Sequence, residues 1–190
     1  MVKTIMVLKK SSSNLKTGEK APEFKLENPK GQKVSLTDLD NFDGVLIIFM
    51  CNHCPYVQTQ TEEIKKLTEE FPSIAFVGIN PNTETHPEDT KTKMKTFVKE
   101  NKLESNNFYY LADPDQKTTQ KYGAKCTPDP FLLDWRHRLH YHGRLNNKTT
   151  PKEEATEREM KQIIQKMLKR KESPKEQKPS QGCSIKWKNQ

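Results

Sequence analysis

The sequence predicts an α/β fold: a central mixed β-sheet with helices on both faces, entered through an N-terminal extension of short strands. Three observations carry this. Two continuous apolar runs rich in β-branched residues, "GVLIIFM" and "SIAFVGIN", have the length and texture of buried central strands. Amphipathic, charge-studded stretches of helical period alternate with them. The later apolar segments read as a hairpin followed by a strong final helix, which makes the sheet mixed and covers it on both sides.

The elements follow in order. Residues 1–17 are Ser/Lys-rich without periodicity and read as a flexible lead-in. "GEKAPEFKLENPKGQKVSLTDL" holds two short extended pieces, Glu23–Leu26 and Lys33–Leu36, around the turn signal Asn28-Pro29-Lys30-Gly31. After "GVLIIFM", the stretch "PYVQTQTEEIKKLTEEF" spaces Val57, Ile64, Leu67 and Phe71 for an amphipathic helix. Pro55 suits its first turn, where a missing N–H loses nothing. "SIAFVGIN" is the second central strand, and "PEDTKTKMKTFVKENK" a second helix with acids early and lysines late, as the helix dipole favours.

"FYYLAD" is a third strand, and "PDQKTTQKYG" a short helix stopped by Gly123. "PFLLDWRHRLHYHGRL" gives two strands turning at Asp134–Arg138. "PKEEATEREMKQIIQKMLKR" is the last helix, with Ala155, Met160, Ile163, Ile164, Met167 and Leu168 on its apolar face. Residues 171–181 contain no apolar side chain and are expected to be disordered, before "GCSIKW" restores apolar character. The expected organisation is a lead-in over 1–17, one domain over 18–170, and a flexible linker and tail over 171–190.

Composition bounds the function. At 190 residues and 32% apolar content, the chain fits one domain with segments outside its core. The net charge of +8 sits at the ends: residues 161–190 carry about +7 and 1–20 about +4, leaving a mildly acidic body. Nucleic-acid binders carry basic charge on a folded face interleaved with aromatics, so neither nucleic acid nor a membrane is an expected partner. No apolar run approaches the roughly 20 residues of a membrane helix. The N-terminal apolar patch is too short for a signal-peptide core, so the expected location is cytoplasmic.

Chemistry concentrates at "FMCNHCPYVQ", where Cys51 and Cys54 stand at the junction of the first central strand and its helix. Structural zinc asks for four ligands, and no second cysteine pair exists. Two buried cysteines can also serve simply as small hydrophobes. Disulfide exchange needs a thiolate. Cys51, just before the helix, is placed to be stabilised by free N–H groups and the dipole, with His53 adding a charge or hydrogen bond. Cys54, deeper in, is then expected to be the resolving thiol.

The order strand, Cys-x-x-Cys, helix, followed much later by "CTPDPFLLD", resembles the thioredoxin superfamily. The stretches "GEKAPEFKLENPKGQKVSLTDL", "CNHCPYV", "INPN", "HPED", "YGAKCTPDPFLLD", "YHGRL" and "GCSIKW" resemble its peroxiredoxin-like, AhpC/TSA-type branch over roughly residues 17–187. The resemblance implies a thioredoxin fold, a redox-active Cys51–Cys54 pair, and thiol–disulfide oxidoreductase activity. Its partners would be a disulfide-containing protein or a small thiol or peroxide, with an upstream thiol reductant. It implies a cis peptide at Thr127-Pro128 whose edge, with Asn52, would bind a partner's extended segment. The histidine before the second cysteine resembles strongly oxidising relatives, so His53 is expected to raise the reduction potential. No organic cofactor or metal is implied.

Departures set the alternatives. Met50 stands where thioredoxin has tryptophan. Superposed on the peroxiredoxin pattern Pro-x-x-x-Thr/Ser-x-x-Cys, Cys54 takes the peroxidatic position, Cys51 the hydroxyl position and Ile47 the proline position. Peroxidase is therefore the second reading, and a redox-silent binding module the third. Cys126, Cys183 and Arg144 are auxiliary candidates: Cys126 near the pair but read first as a buried small residue, Cys183 on a tail expected to dock without chemistry, with an extra resolving thiol as the alternative, and Arg144 in the family's "GR". His137, His140 and His142 read as exposed hairpin residues, not metal ligands.

Overall fold

The computed structural model describes residues 8–188. The strands are β1 (Leu8–Lys10), β2 (Lys25–Glu27), β3 (Lys33–Ser35), β4 (Gly44–Phe49), β5 (Ile74–Asn80), β6 (Phe108–Ala112), β7 (Cys126–Thr127), β8 (Asp129–Asp134), β9 (Leu139–His142) and β10 (Gln181–Ser184). The helices are α1 (Pro55–Gln58), α2 (Thr61–Glu70), α3 (Lys91–Glu100), α4 (Lys117–Tyr122) and α5 (Glu159–Leu168), with 3-10 turns at Leu36–Leu39 and Pro87–Asp89.

Seven strands form the main sheet in the order β3-β2-β6-β5-β4-β8-β9. β4, β5 and β6 are parallel to one another, while β8 runs antiparallel to β4 and β9 to β8. Alternation along β4 sorts its side chains by face. Leu46, Ile48 and Met50 join a core with Ile64, Leu67, Met94, Phe97, Ile164 and Met167, contributed by α2, α3 and α5. Val45, Ile47 and Phe49 join the opposite core, with Leu36, Leu39, Tyr122 and Phe131. This is the expected mixed sheet with helices on both faces.

Local chemistry sets the boundaries. The single helix expected after Cys54 is two, because Gln60 carries the chain from α1 into α2 as the latter's N-cap residue. Thr90 caps α3 by accepting the Lys93 N–H on its hydroxyl, and Gly123, at φ 68°, ends α4 in the left-handed conformation glycine tolerates. The last helix starts at Glu159, not near Pro151. Asn147 Oδ1 accepts the Thr156 and Glu157 N–H groups, holding that segment in a loop, and Arg158 pairs with Glu63 and Glu70 of α2.

Both termini depart from expectation. Residues 1–7 lie outside the described residues, but from Leu8 the lead-in is a strand: β1 pairs with β10, and β10 pairs in turn with β7, in a second antiparallel sheet. The linker expected to be disordered is held through its backbone. The Lys178 carbonyl accepts the Arg144 N–H, and the Ser180 carbonyl accepts the Ser11 N–H. Backbone hydrogen bonds can anchor a segment this way without any apolar burial, which is why composition alone misread it.

The hairpin histidines are also buried rather than exposed, at 7%, 7% and 9% for His137, His140 and His142. His142 stacks on Phe131 with centroids 4.0 Å apart, and its Nε2 lies 2.7 Å from Oδ1 of the fully buried Asp129. Burial pushes the Asp129 carboxyl above its ordinary 3.8, partly offset by His142 and by the Lys125 and Cys126 N–H groups. Replacing His142 with Phe keeps the ring stack but strands a buried charge, at a cost of about 3–5 kcal/mol. Urea denaturation at pH 7 is expected to show that loss. Because the folded-state pKa of Asp129 is raised, the deficit shrinks as pH falls through the folded values and is gone once the carboxyl is protonated in both folded proteins.

Candidate active site

β4 ends at Phe49 and delivers Met50 through Cys54 into the space between α1 and the β7–β8 corner. The Thr127-Pro128 peptide is cis. Cys51 and Cys54 are fully buried and Cys183 is 2% exposed. Thr127 touches all three: its Oγ1 lies 3.2 Å from Cys51 Sγ, its carbonyl oxygen 3.1 Å from Cys54 Sγ, and its backbone pairs in register with Cys183. Cys54 Sγ and Cys183 Sγ are 2.7 Å apart, inside the contact distance of two sulfurs and outside the roughly 2.05 Å of a disulfide bond.

The electrostatics divide the sulfurs. Burial pushes Cys54 up, but hydrogen bonds from Cys183, Cys51, the Thr127 hydroxyl and the Val57 N–H outweigh it, so its thiol is held well below 9.0. The nearby Thr127 carbonyl favours the protonated form, and the four donors together exceed it. Cys51 moves the other way, raised by burial, by Cys54 and by Asp89. Cys183 is raised too, first by its hydrogen bond to Cys54 and then by burial. These directions favour the anion on Cys54 over Cys51 and Cys183, whereas Cys51 was the expected attacker. Position contributes: Cys54 is the N-cap residue of α1, with the Val57 N–H acting on its sulfur, while Cys51 is raised by the nearby Asp89 carboxylate.

The dipeptide between the cysteines serves a buried network. Asn52 does not face a partner. Its N–H donates to Asp89 Oδ1 at 2.6 Å, its Nδ2 to the Glu88 carbonyl, and its Oδ1 accepts from the Tyr110 hydroxyl at 2.8 Å. His53 Nδ1 forms a short hydrogen bond with Asp89 Oδ2, and its ring stacks on His86 with centroids 3.7 Å apart. Among the described residues its ring bonds to Asp89 and not to either cysteine. Asp89 is fully buried and also accepts from Asn80 Nδ2. Cys51 Sγ, a His53 nitrogen and an Asp89 oxygen lie within 4.8 Å of one another. That is a partial donor set for a metal ion, but the His53–Asp89 hydrogen bond already joins two of its three members.

The auxiliary candidates separate. Arg144 is not at the cysteines; it pairs with Glu159 through Nε at 2.8 Å and fixes the start of α5. Cys126 is buried with its thiol held up by burial, near the Pro128 carbonyl and Ser180, and acts as a small core residue. The edge beside Pro128, expected to receive a partner, is occupied by β10 of the same chain. Sequence reasoning passed over Asp89 and His86 as site residues. Their only signal was the spacing in "HPED".

Known proteins bear on this geometry. Residues 17–142 match the AhpC/TSA family. The chain is 29% identical over 113 residues, 58% of its length and 67% of the relative's, to a protein named putative peroxiredoxin bcp from Helicobacter pylori. The crystal structure of an uncharacterized conserved protein from Geobacillus kaustophilus superposes with a TM-score of 0.89 at 33% identity, covering 97% of this chain and 98% of that one. A putative thiol:disulfide interchange protein DsbE from Chlorobium tepidum shares the fold, with a TM-score of 0.64 at 22% identity over 82% of this chain and 99% of that one. Among the described residues no helix is long and apolar enough to cross a membrane.

Removing the Asp89 charge tests the electrostatic division. In Asp89→Asn, Cys51 is expected to titrate at lower pH than in the wild type, because one of the groups holding its thiol up is gone. Burial remains, so the change is partial. Thiolate absorbance followed against pH, with Cys54, Cys126 and Cys183 all replaced by Ser so that burial alone remains beside Asp89, isolates Cys51, and an unchanged titration would show that Asp89 does not act on it.

Proposed function

The chain belongs to the AhpC/TSA family, a family of thiol-dependent redox proteins, and from that premise we propose that it is a thiol–disulfide oxidoreductase whose attacking sulfur is Cys54. The observation that supports this is the packing of Cys183 and Thr127 against the buried Cys54 sulfur at the start of α1, where the thiol is held below its ordinary value. Cys54 thiolate attacks a disulfide R–S–S–R′, giving Cys54–S–S–R and releasing R′S⁻. Burial and Asp89 still hold Cys51 up, but attack removes the Cys54 contribution, and the Thr127 hydroxyl, 3.2 Å away, favours the Cys51 thiolate. Cys51 then attacks Cys54 Sγ, its proton leaves with RS⁻ as the thiol RSH, and a Cys51–Cys54 disulfide remains. An upstream dithiol reverses the sequence.

One observation favours a second reading. Cys54 is both the stabilised thiolate and the position aligned with the peroxidatic cysteine, so attack on a hydroperoxide, giving a sulfenic acid and an alcohol or water, is the competing first step. Against it, Arg144 is engaged with Glu159, and Cys51 replaces the hydroxyl that peroxiredoxins carry.

Two measurements test the reading. Iodoacetamide at pH 6 is expected to label Cys54 in preference to Cys51, with the rate staying level as pH falls well below 9.0, since a lowered pKa keeps the thiolate present there. Preferential labelling of Cys51 would overturn the assignment. Exchange with oxidised glutathione or insulin is expected to fall to background in Cys54→Ser. Hydrogen peroxide consumption that exceeds disulfide exchange in the wild type, and vanishes in Cys54→Ser, would put the peroxidase reading first.

A further inference from the structure

The edge beside a cis proline is where the resemblance places a partner's extended segment, and here β10 lies on it. β10 runs antiparallel to β7, with Cys183 opposite Thr127 and Ser184 opposite Cys126. Its approach is so close that a Cβ on Gly182 would collide with the Thr127 carbonyl, which only glycine avoids. On its other side β1 completes the sheet, with Leu8 opposite Cys183. Beyond the strand the tail stays fastened. Ile185 is buried in the same core as Phe49, the Lys186 N–H donates to Asn82 Oδ1, and Gln116 accepts from the Lys188 N–H and donates to the Lys186 carbonyl. The seating brings one particular atom, Cys183 Sγ, to 2.7 Å from Cys54 Sγ.

We propose that β10 is an internal stand-in for a partner strand and that Cys183 is a third redox-active cysteine, which resolves Cys54 and closes the site over it. The proposal rests on the oxidoreductase reading above. Cys54 thiolate and R–S–S–R give Cys54–S–S–R and RS⁻. Cys183 then attacks Cys54 Sγ, forming the Cys54–Cys183 disulfide, and its proton departs with the second RS⁻ as RSH. Cys51 can afterwards attack Cys54 Sγ within the chain, passing its proton to Cys183, so that the disulfide becomes Cys51–Cys54 and Cys183 is again a thiol, no longer tying the tail covalently to Cys54. That exchange moves no electrons into or out of the protein. A protein partner must displace β10 to reach the edge, whereas the resolving step is already assembled.

The test maps disulfides by non-reducing peptide mass spectrometry after acid quench. With one equivalent of oxidised glutathione, Cys51→Ser is expected to give a Cys54–Cys183 bridge with no lasting glutathione adduct, and the Cys51→Ser/Cys183→Ser double variant to retain glutathione on Cys54. Gly182→Ala keeps every thiol but unseats the strand. In the Cys51→Ser background it is expected to lower the initial rate of Cys54–Cys183 bridging by about tenfold or more, as the sulfur's effective concentration falls. A glutathione adduct that persists in Cys51→Ser, or bridging in Gly182→Ala as fast as without it, would overturn the proposal. Diamide, which oxidises dithiols without a disulfide substrate, separates it from the oxidoreductase reading. A Cys54–Cys183 bridge under diamide with no exchange toward oxidised glutathione or insulin would defeat that reading and keep Cys183. Exchange with only Cys51–Cys54 ever bridged would do the reverse.

Discussion

Thr127 is the residue on which the site depends. Its hydroxyl faces Cys51, its carbonyl faces Cys54, and its backbone pairs with Cys183. Three sulfurs from strands and turns far apart in the chain are thereby gathered around one peptide group. That peptide is fixed from behind by the buried Asp129, whose carboxylate accepts the Lys125 N–H and faces His142. Burying such a carboxylate is costly unless it is paired, and the pairing ties the β7–β8 corner to β9.

A second buried carboxylate does the corresponding work on the other side of the cysteines. Asp89 accepts the Asn52 N–H, the Asn80 amide and the His53 ring, so the turn between Cys51 and Cys54 has little freedom. The position of each sulfur is set by packing and hydrogen bonds before any substrate arrives. This preorganisation is what lets short sulfur–sulfur distances persist in a dry site, where thiol hydrogen bonds are stronger than in water.

Periodicity made the sheet legible. The runs 44–50 and 73–80, the face of Ile64 and Leu67, and the Gly123 stop all reflect local rules that hold in the fold. The cysteine pair was legible as redox chemistry because its place between strand and helix is itself local. What periodicity could not give was anything decided across the chain. The environment of Cys54 differs from that of Cys51 because Cys183, 129 residues away, and Thr127, 73 away, lie against its sulfur. His53 turns to Asp89, 36 residues on, and not to a cysteine. The hairpin histidines looked exposed because their cover comes from segments such as 173–177, whose composition resembles a solvated linker: Ser173 meets His140, and Gln177 accepts the His142 N–H.

The same long-range contacts bear on which way electrons run. Stabilising the Cys54 thiolate stabilises the reduced protein, which makes a Cys51–Cys54 disulfide more oxidising. Seating Cys183 against Cys54 acts oppositely on a different bond, because a sulfur held in contact has a high effective concentration toward its partner. The donors that favour reduction include Cys183 itself, and they are lost once β10 leaves. A docked tail therefore poises the site between a stabilised dithiol and a preassembled Cys54–Cys183 disulfide. An undocked tail leaves Cys54 with fewer donors and an open edge at Thr127. Under the proposed role of β10, the position of that one strand would set both the potential of the site and its access to a partner, and Gly182 is the residue that permits its close approach to Thr127.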